Sequence, residues 1–227
     1  MKKITKPCKP KENQYIFTEG INYFETNKVS IWGTGDKDTL RLLKKIEIFG
    51  KWLNLAAGDG RYNLSLLKKA DFVVASDIDA SALSKLWQDT PETYKSKLET
   101  KVFDITKKFP FEDNSFDGVF CTGVLHLFPN EILQKIISEI DRVLRPEGRV
   151  IIDFAADIKR VSPDGKLIIF GNEPRYTLGE AGITLKNLFR NYKMKIHESE
   201  VQEEDFTQAS PPYKFSCKFL LLVADKS

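Results

Sequence analysis

Apolar positions along the chain follow two periods, one typical of strands and one typical of helices. Five short apolar runs with the length of buried strands lie at 52–56, 72–75, 98–103, 116–121 and 149–154. Apolar residues at helical spacing lie before and between them, at 36–49, 64–67, 80–88 and 129–144. Because parallel strands need crossovers, and the crossovers cover both faces of the sheet, this alternation predicts an α/β fold with a doubly wound, mostly parallel sheet.

The C-terminal part of the chain breaks that alternation. A helical pattern at 177–192 is followed by two strand-like segments, 193–201 and 214–223. Only about a dozen residues without a helical pattern join these segments, so we expect them to pair as an antiparallel hairpin. The complete sheet is therefore predicted to have seven strands.

The composition excludes several classes of protein. Of the 227 residues, 41% are hydrophobic and 30% are charged, which rules out a collagen-like, disordered or disulfide-scaffold chain. No apolar run approaches the roughly 20 residues that cross a bilayer, so no membrane partner is expected. Cys8, Cys121 and Cys217 are odd in number and far apart, which favours a reducing cytoplasm. Two His residues and no Cys pair predict no metal site.

Distinctive residues follow four of the predicted strands. The turn Gly58-Asp-Gly60 follows the first, Asp77 the second, Asp104 the third and Thr122 the fourth. Ligands of an open parallel sheet bind beyond the carboxyl ends of its strands, where a glycine lets the backbone approach them closely. An acid 19 residues after Gly58 suits the hydroxyls of a ribose. These positions predict a nucleoside site.

The glycine pattern separates two kinds of nucleoside cofactor. A dinucleotide fingerprint needs a third glycine, three residues after the second, and this chain has Asn63 there. The second acid, Asp104, suits an adenine amino group. A nicotinamide-dependent oxidoreductase is therefore an alternative that the sequence disfavours.

Five segments resemble the class I S-adenosylmethionine-dependent methyltransferases. They are LNLAAGDG at 53–60, VVASDID at 73–79, FDI at 103–105, FPFEDNSFDGVFC at 109–121 and EIDRVLRPEGRVII at 139–152. The resemblance implies S-adenosylmethionine as cofactor and S-adenosylhomocysteine as product. The cofactor-binding residues that it implies are Ala56, Gly58, Gly60, Asp77, Ile78, Asp104, Ile105 and Thr122.

The resemblance also suggests how the single domain, 1–227, is divided. A cofactor-binding core at 36–156 is flanked by a lid-like aromatic segment at 1–35 and an insertion at 157–176, which we expect to be a turn and a short strand outside the core sheet. The C-terminal helix and hairpin complete the domain at 177–227. The two added segments, 1–35 and 157–176, are expected to determine which methyl acceptor is bound.

Two residues depart from the family pattern. Asn54 stands where the family usually has an acid, so another acid or backbone carbonyls must help to hold the methionine ammonium group of the cofactor. Ala56 stands where the family has glycine, which costs little if its φ is negative. These departures keep open a second alternative, a non-enzymatic protein that is either a cofactor-binding subunit or a subunit that activates a partner.

No catalytic residue is required by the expected chemistry. Methyl transfer from a sulfonium is an in-line displacement that depends mainly on positioning, and a base is needed only when the acceptor must lose a proton. His126 is the candidate base or acceptor-positioning residue, with packing as the alternative. Cys121 is expected in the core and His197 in solvent.

The acceptor is not identified by the sequence. A small molecule is favoured, while RNA and protein acceptors stay open, and no oligomeric state is predicted. The segment SPPY at 210–213 resembles an acceptor-binding tetrapeptide of other methyltransferases. Its place in the terminal hairpin loop favours a proline-stiffened turn instead.

Overall fold

The structure is a computed structural model that describes residues 23, 30, 35–169, 173–206 and 212–227. The helices of this part are α1 (Lys37–Lys45), α2 (Asn63–Leu67), α3 (Ala80–Asp89), α4 (Glu92–Lys95), α5 (Asn130–Val143) and α6 (Leu178–Leu188). The strands are β1 (Lys51–Leu55), β2 (Phe72–Asp77), β3 (Leu98–Val102), β4 (Phe116–Cys121), β5 (Leu144–Val161), β6 (Tyr192–Glu198), β7 (Gln202–Phe206) and β8 (Tyr213–Lys226). None of the described helices is long and apolar enough to span a membrane.

All eight strands of the described part belong to one sheet. Its order is β3-β2-β1-β4-β5-β8-β6, with β7 paired to β8 beside this path. Strands β1 to β5 pair in parallel, whereas β8 is antiparallel to β5, β6 and β7. The doubly wound, mostly parallel fold with an antiparallel C-terminal pair is confirmed. The order reverses between β1 and β4, and such a switch point is where an open sheet binds ligands.

The sheet separates two hydrophobic layers. Alternation along β1 places Leu53 against Ile136 of α5 on one face and Trp52 against Leu43 of α1 and Leu66 of α2 on the other. All five side chains are at least 98% buried. Burying a side chain of this size stabilises the fold by about 1.5–3 kcal/mol. Both faces of the parallel strands are therefore covered, as the alternating sequence pattern predicts.

Helix α1 is shorter than predicted. Asp36 is its N-cap, and its Oδ1 accepts hydrogen bonds from the backbone N–H groups of Asp38 and Thr39, each at 2.9 Å. The helix ends at Lys45 because Ile46 is already extended. Nζ of Lys69 donates to the carbonyls of Lys44 and Ile46, which satisfies the open helix end. The prediction that Gly50 terminates this helix was wrong.

Two strands also differ from the prediction. Strand β5 was expected to end at Phe154, but its pairing with β8 continues to Val161 across an irregularity at residues 156–159, where Asp157 has a φ of 51°. The first residues of the expected insertion at 157–176 therefore extend the sheet. Strand β7 was not predicted because its sequence, QEEDF, has no apolar alternation. It brings the sheet to eight strands in place of seven.

Candidate functional site

The loop between β1 and α2 has an unusual backbone. Ala56, Gly58 and Gly60 have φ values of 50°, 53° and 98°, and the N–H of Gly60 donates to the carbonyl of Ala57 at 3.0 Å. A Cβ on Gly60 would lie 3.0 Å from Cγ of Leu86, so the loop passes close to α3. The expectation that Ala56 costs little depended on a negative φ, and this condition is not met. Ala56 instead stores strain of about 1–2 kcal/mol.

The carboxylate of Asp77 holds this loop from the end of β2. Its Oδ2 accepts a 2.8 Å hydrogen bond from the N–H of Gly58, and its Oδ1 accepts a 3.0 Å bond from the N–H of Asp79. Burial raises the pKa of Asp77 above its usual value, and these N–H bonds oppose the rise because they favour the ionised form. The next residue, Ile78, is 40% exposed. A carboxylate and an exposed apolar side chain therefore adjoin the glycine-rich loop.

Asp104 lies just after the neighbouring strand, β3. Its Oδ1 accepts hydrogen bonds from the N–H and the hydroxyl of Thr106, at 2.8 and 2.7 Å. The backbone is continuous with the Asp77 site, since the N–H of Phe103 donates to the carbonyl of Asp77 at 3.1 Å. The side chain of Ile105 is buried in the core. Only Asp104 and the backbone of this segment therefore remain to contact a ligand.

The fourth strand end lies across the switch point. Thr122 is partly buried, and Gly123 has a φ of 73°. The N–H of Gly123 donates to Oδ1 of Asp153 on β5 at 2.6 Å. A Cβ on Gly123 would meet no other atom within 4 Å. The backbone therefore borders open space here, as it would beside a ligand.

Together, the four strand ends fit a nucleoside. Asp77 can accept hydrogen bonds from two ribose hydroxyls, Ile78 offers an apolar surface for a base, and the loop at 56–60 allows close backbone approach. In the described ranges, no three His, Cys, Asp or Glu side chains are arranged to hold a metal ion.

The N-terminal segment reaches this loop at one described point. The hydroxyl of Ser30 donates to Oδ1 of Asp59 at 2.8 Å, and both residues are buried. Tyr23 is also buried, at 8% exposure. The remainder of the lid-like segment, apart from residue 35, lies outside the described residues.

Comparison with known proteins relates part of the chain to a known domain family. A family model described as a methyltransferase domain matches residues 53–152, which include the glycine-rich loop and all four strand ends. The solved complex of DhpI with SAH has a TM-score of 0.58 and 20% identity, covering 81% of this chain and 79% of that one. Residues 53–152 therefore match a methyltransferase domain, and the solved complex shares the fold of this chain.

Two curated proteins that are similar to part of this chain are named for different substrates. Phosphoethanolamine N-methyltransferase 1 of Triticum aestivum is 34% identical over 101 residues, which are 44% of this chain and 20% of that protein. The tRNA U34 carboxymethyltransferase of Nautilia profundicola is 31% identical over 102 residues, which are 44% of this chain and 33% of that protein. The chain thus spans a third or less of the length of these relatives.

The family's first-motif acid is replaced here by a structural amide. Asn54 is 3% exposed, and its Nδ2 donates a 3.1 Å hydrogen bond to Oδ1 of Asn63 in α2. The hydroxyl of Ser76 donates to the Asn54 carbonyl at 3.3 Å. Asn54 therefore ties β1 to α2 and β2.

Asp153, which lies just beyond the residues matched by the family model, is a buried acid that the sequence interpretation did not assign to the site. It is 4% exposed, and its pKa is raised to about 7 because burial disfavours its charge, although the Gly123 N–H and Arg61 oppose the rise. A lone acid inside the apolar run 150–156 is the sequence signal that could have identified it. The charge of Asp36 also acts on the Asp153 carboxyl and adds to the rise of its pKa, whereas the charge of Arg61 opposes this rise.

The candidate base of this methyltransferase domain is buried. His126, in the 3-10 turn Leu125–Leu127, is 8% exposed, and its Nδ1 has no hydrogen-bond partner among the described residues. Its ring lies edge-on to Phe154 with centroids 6.3 Å apart. Burial, assisted by the charge of Arg160, lowers its pKa to about 3. The imidazole is therefore neutral near pH 7, and its surroundings favour packing over proton transfer.

Three other sequence predictions can be compared with this structure. Cys121 is fully buried and the side chain of His197 is 65% exposed, so both expectations are confirmed. Ser210 and Pro211 of the SPPY segment lie outside the described residues, whereas Tyr213 begins β8.

Proposed function

We propose that this protein transfers the methyl group of S-adenosylmethionine to a small-molecule acceptor and releases S-adenosylhomocysteine. The observation that carries the proposal is the hydrogen bond from the N–H of Gly58, which follows β1 beside the switch point, to the carboxylate of Asp77 at the end of β2. The match of residues 53–152 to a methyltransferase domain supports the identity of the cofactor.

The cofactor would be held by residues from four strand ends. Asp77 would bind the ribose hydroxyls, Ile78 would pack on adenine, and Asp104 would accept from the adenine amino group. The remaining contacts would come from the backbone at Ala56, Gly58, Gly60 and Ile105 and from Thr122.

The bound cofactor would supply an electrophilic methyl group on a positively charged sulfur. The acceptor's lone pair would form the new bond to carbon as the carbon–sulfur bond breaks. The chain has to hold the acceptor in line and exclude water, which can account for most of the catalysis. Because the pKa of His126 is about 3, an acceptor that is already nucleophilic near neutral pH suits this site better than one that needs a base.

A small acceptor is supported by the two segments added to the core. The Ser30–Asp59 hydrogen bond places Ser30, a described residue of the segment at 1–35, against the glycine-rich loop, as a lid would require. In the segment at 157–176, Arg160 forms a buried two-pronged ion pair with Glu173, at 2.7 and 3.0 Å. The substrate named for the wheat relative is also a small molecule, whereas that of the Nautilia relative is a tRNA.

A cytoplasmic location is part of the proposal. Cys121 and Cys217 are buried free thiols on different strands. Free thiols persist in a reducing compartment.

Calorimetric titration with S-adenosylhomocysteine and NAD tests the cofactor. We expect the first to bind and the second not to bind, followed by methyl transfer from S-adenosylmethionine in a screen of small molecules, proteins and RNA. Binding of NAD alone would refute the proposal. Binding of the methyl donor without turnover on any acceptor would favour a non-catalytic subunit instead.

A matched pair of variants tests the site. Asp77→Ala removes the acid at the carboxyl end of β2, whereas Asp71→Ala removes an acid just before the same strand whose Oδ2 accepts from the N–H of Gly50 at 2.9 Å. Hydrogen bonds to a charged group contribute about 1.5–3 kcal/mol, so Asp77→Ala should weaken S-adenosylhomocysteine binding by about tenfold or more. Asp71→Ala should leave the Kd unchanged.

A further inference from the structure

Three charged residues lie around Tyr62, between the glycine-rich loop and the middle of β5, and the charge of each acts on the Tyr62 hydroxyl. Asp153 is the buried member, and it faces the same side of the sheet as Ile151 and Trp52. Arg61 follows the last glycine of the loop, and Asp36 caps α1. The backbone N–H of Asp36 donates to the Tyr62 hydroxyl at 2.7 Å, which fixes α1 against the loop.

The charges of this cluster act on one another, since Arg61 and Asp36 both shift the pKa of Asp153, but they are not paired. The Arg61 guanidinium lies over the Tyr62 ring, 5.5 Å from its centroid, and forms no ion pair within 4.0 Å in the described part of the chain. Its Nε and Oδ2 of Asp36 are buried without a hydrogen-bond partner. Buried polar atoms are nearly always paired, so two such atoms of opposite charge beside one acid indicate a missing ligand.

The missing ligand must carry both charges. A lone cation would leave Arg61 unpaired, and a lone anion would be repelled by two carboxylates. An α-amino-acid group satisfies both, because its carboxylate can accept from Arg61 while its ammonium donates to an acid. Asp153 also touches the open strand end, through its hydrogen bond with the N–H of Gly123.

We propose that Asp153 and Arg61 form the subsite for the amino-acid end of the cofactor, with Asp153 holding the ammonium group and Arg61 the carboxylate. This inference rests on the proposed function. It explains how the chain binds the ammonium group although position 54 carries no acid and the Asn54 amide is hydrogen-bonded to Asn63. The negative charge is supplied from β5 and not from β1, with Asp36 adding to the negative potential.

Titration calorimetry at about pH 8, where Asp153 is largely ionised, tests the assignment with three ligands. S-adenosylhomocysteine carries both charged groups, its decarboxylated analogue carries the ammonium alone, and 5′-methylthioadenosine carries neither. Asp153→Asn keeps an acceptor for the Gly123 N–H but removes the charge. It should weaken binding of the first two ligands by about tenfold or more and leave the third within about twofold.

Arg61→Gln provides the second variant and should weaken only S-adenosylhomocysteine. The control is Asp117→Asn, because Asp117 also accepts a backbone N–H, from Lys51 at 2.7 Å, but lies at the opposite edge of the sheet. It should leave all three Kd values unchanged. If Asp153→Asn binds S-adenosylhomocysteine like the wild type, or loses all three ligands equally, the assignment is overturned while the proposed function stands. If the wild type binds no S-adenosylhomocysteine, the proposed function itself fails.

Discussion

The side chain of Asn54 points to Asn63 and not to the open strand ends, with Nδ2 and Oδ1 separated by 3.1 Å. Both residues are at least 97% buried. A hydrogen bond in such a place matters for stability, because removing one partner leaves the other buried and unsatisfied. The residue at the family's acidic position has therefore become part of the core that holds α2 beneath the loop.

Replacing Asn54 by Ala should lower stability without abolishing cofactor binding. The free energy of unfolding should fall by about 1–3 kcal/mol because the Asn63 amide loses its partner. Urea denaturation measures this change, and calorimetry with S-adenosylhomocysteine should give a Kd within about threefold of the wild type, since a charged contact would cost more. A folded variant with tenfold weaker binding would mean that Asn54 does contact the cofactor.

Replacing Ala56 by glycine, the residue that the methyltransferase family has at this position, should stabilise the protein. Its φ of 50° is a conformation that costs an L-residue about 1–2 kcal/mol, and only part of this is offset by the greater entropy of glycine in the unfolded chain. Ala56→Gly should therefore raise the free energy of unfolding by about 0.5–1 kcal/mol.

The adjacent Ala57 is the control for this substitution. It is not among the positive-φ residues, and its N–H donates to the Ser76 carbonyl at 2.8 Å. Ala57→Gly should lower stability by about 0.5–1 kcal/mol in the same denaturation experiment. Equal effects of the two glycine variants would contradict the strain assigned to Ala56.

The sequence predicted strands correctly where both faces of the strand are buried in the fold. Strands β1, β2 and β4 lie inside the parallel sheet, so each has a short apolar run bounded by polar turns. Strand β7 pairs only with β8, and an edge strand needs no apolar pattern. The extension of β5 to Val161 is likewise determined by its partner, because the alternating strand β8 offers pairing positions along its whole length.

Residues of the candidate site could be predicted from the sequence only where they lie at the ends of parallel strands. Gly58, Asp77 and Asp104 each lie at the carboxyl end of a strand or just after it, so the topology of a parallel sheet brings them to one edge. Asp36, Arg61 and Asp153 come from a helix cap, a loop and a strand interior. Their proximity depends on tertiary packing around Tyr62, which no local pattern encodes.

Two glycines near the ends of β4 should separate stability from binding. A Cβ on Gly118 would lie 2.3 Å from Cε2 of Trp52, whose indole covers the strand, whereas a Cβ on Gly123 meets no other atom within 4 Å. Overpacking of a dense core typically costs about 1–3 kcal/mol or more, so Gly118→Ala should unfold at clearly lower temperature.

Gly123→Ala should instead act mainly on ligand binding. Its φ of 73° adds a strain of about 1 kcal/mol, and the new methyl group projects toward the open strand end. Paired thermal melts and titrations with S-adenosylhomocysteine should show the larger loss of stability for Gly118→Ala and the larger rise in Kd for Gly123→Ala. The reverse order would show that the space beside Gly123 is not part of the cofactor site.

Asp153 should give the folded protein a pH dependence of stability that an amide variant lacks. Its pKa rises from 3.8 to about 7 on folding, so between these values the native state binds a proton that the unfolded state has released. The contribution to stability is therefore greatest at low pH and is lost as pH rises toward 7. In this range the free energy of unfolding changes by about 1.4 kcal/mol per pH unit. Two other charges face the group: Arg61 lowers the pKa of Asp153 and Asp36 raises it.

Denaturant titrations from about pH 5 to 8 test this pH dependence. The free energy of unfolding of the wild type should fall by roughly 2–3 kcal/mol relative to Asp153→Asn up to pH 7, and the two proteins should not diverge further above pH 7. Parallel profiles for the two proteins would show that Asp153 is ionised throughout, in spite of its burial.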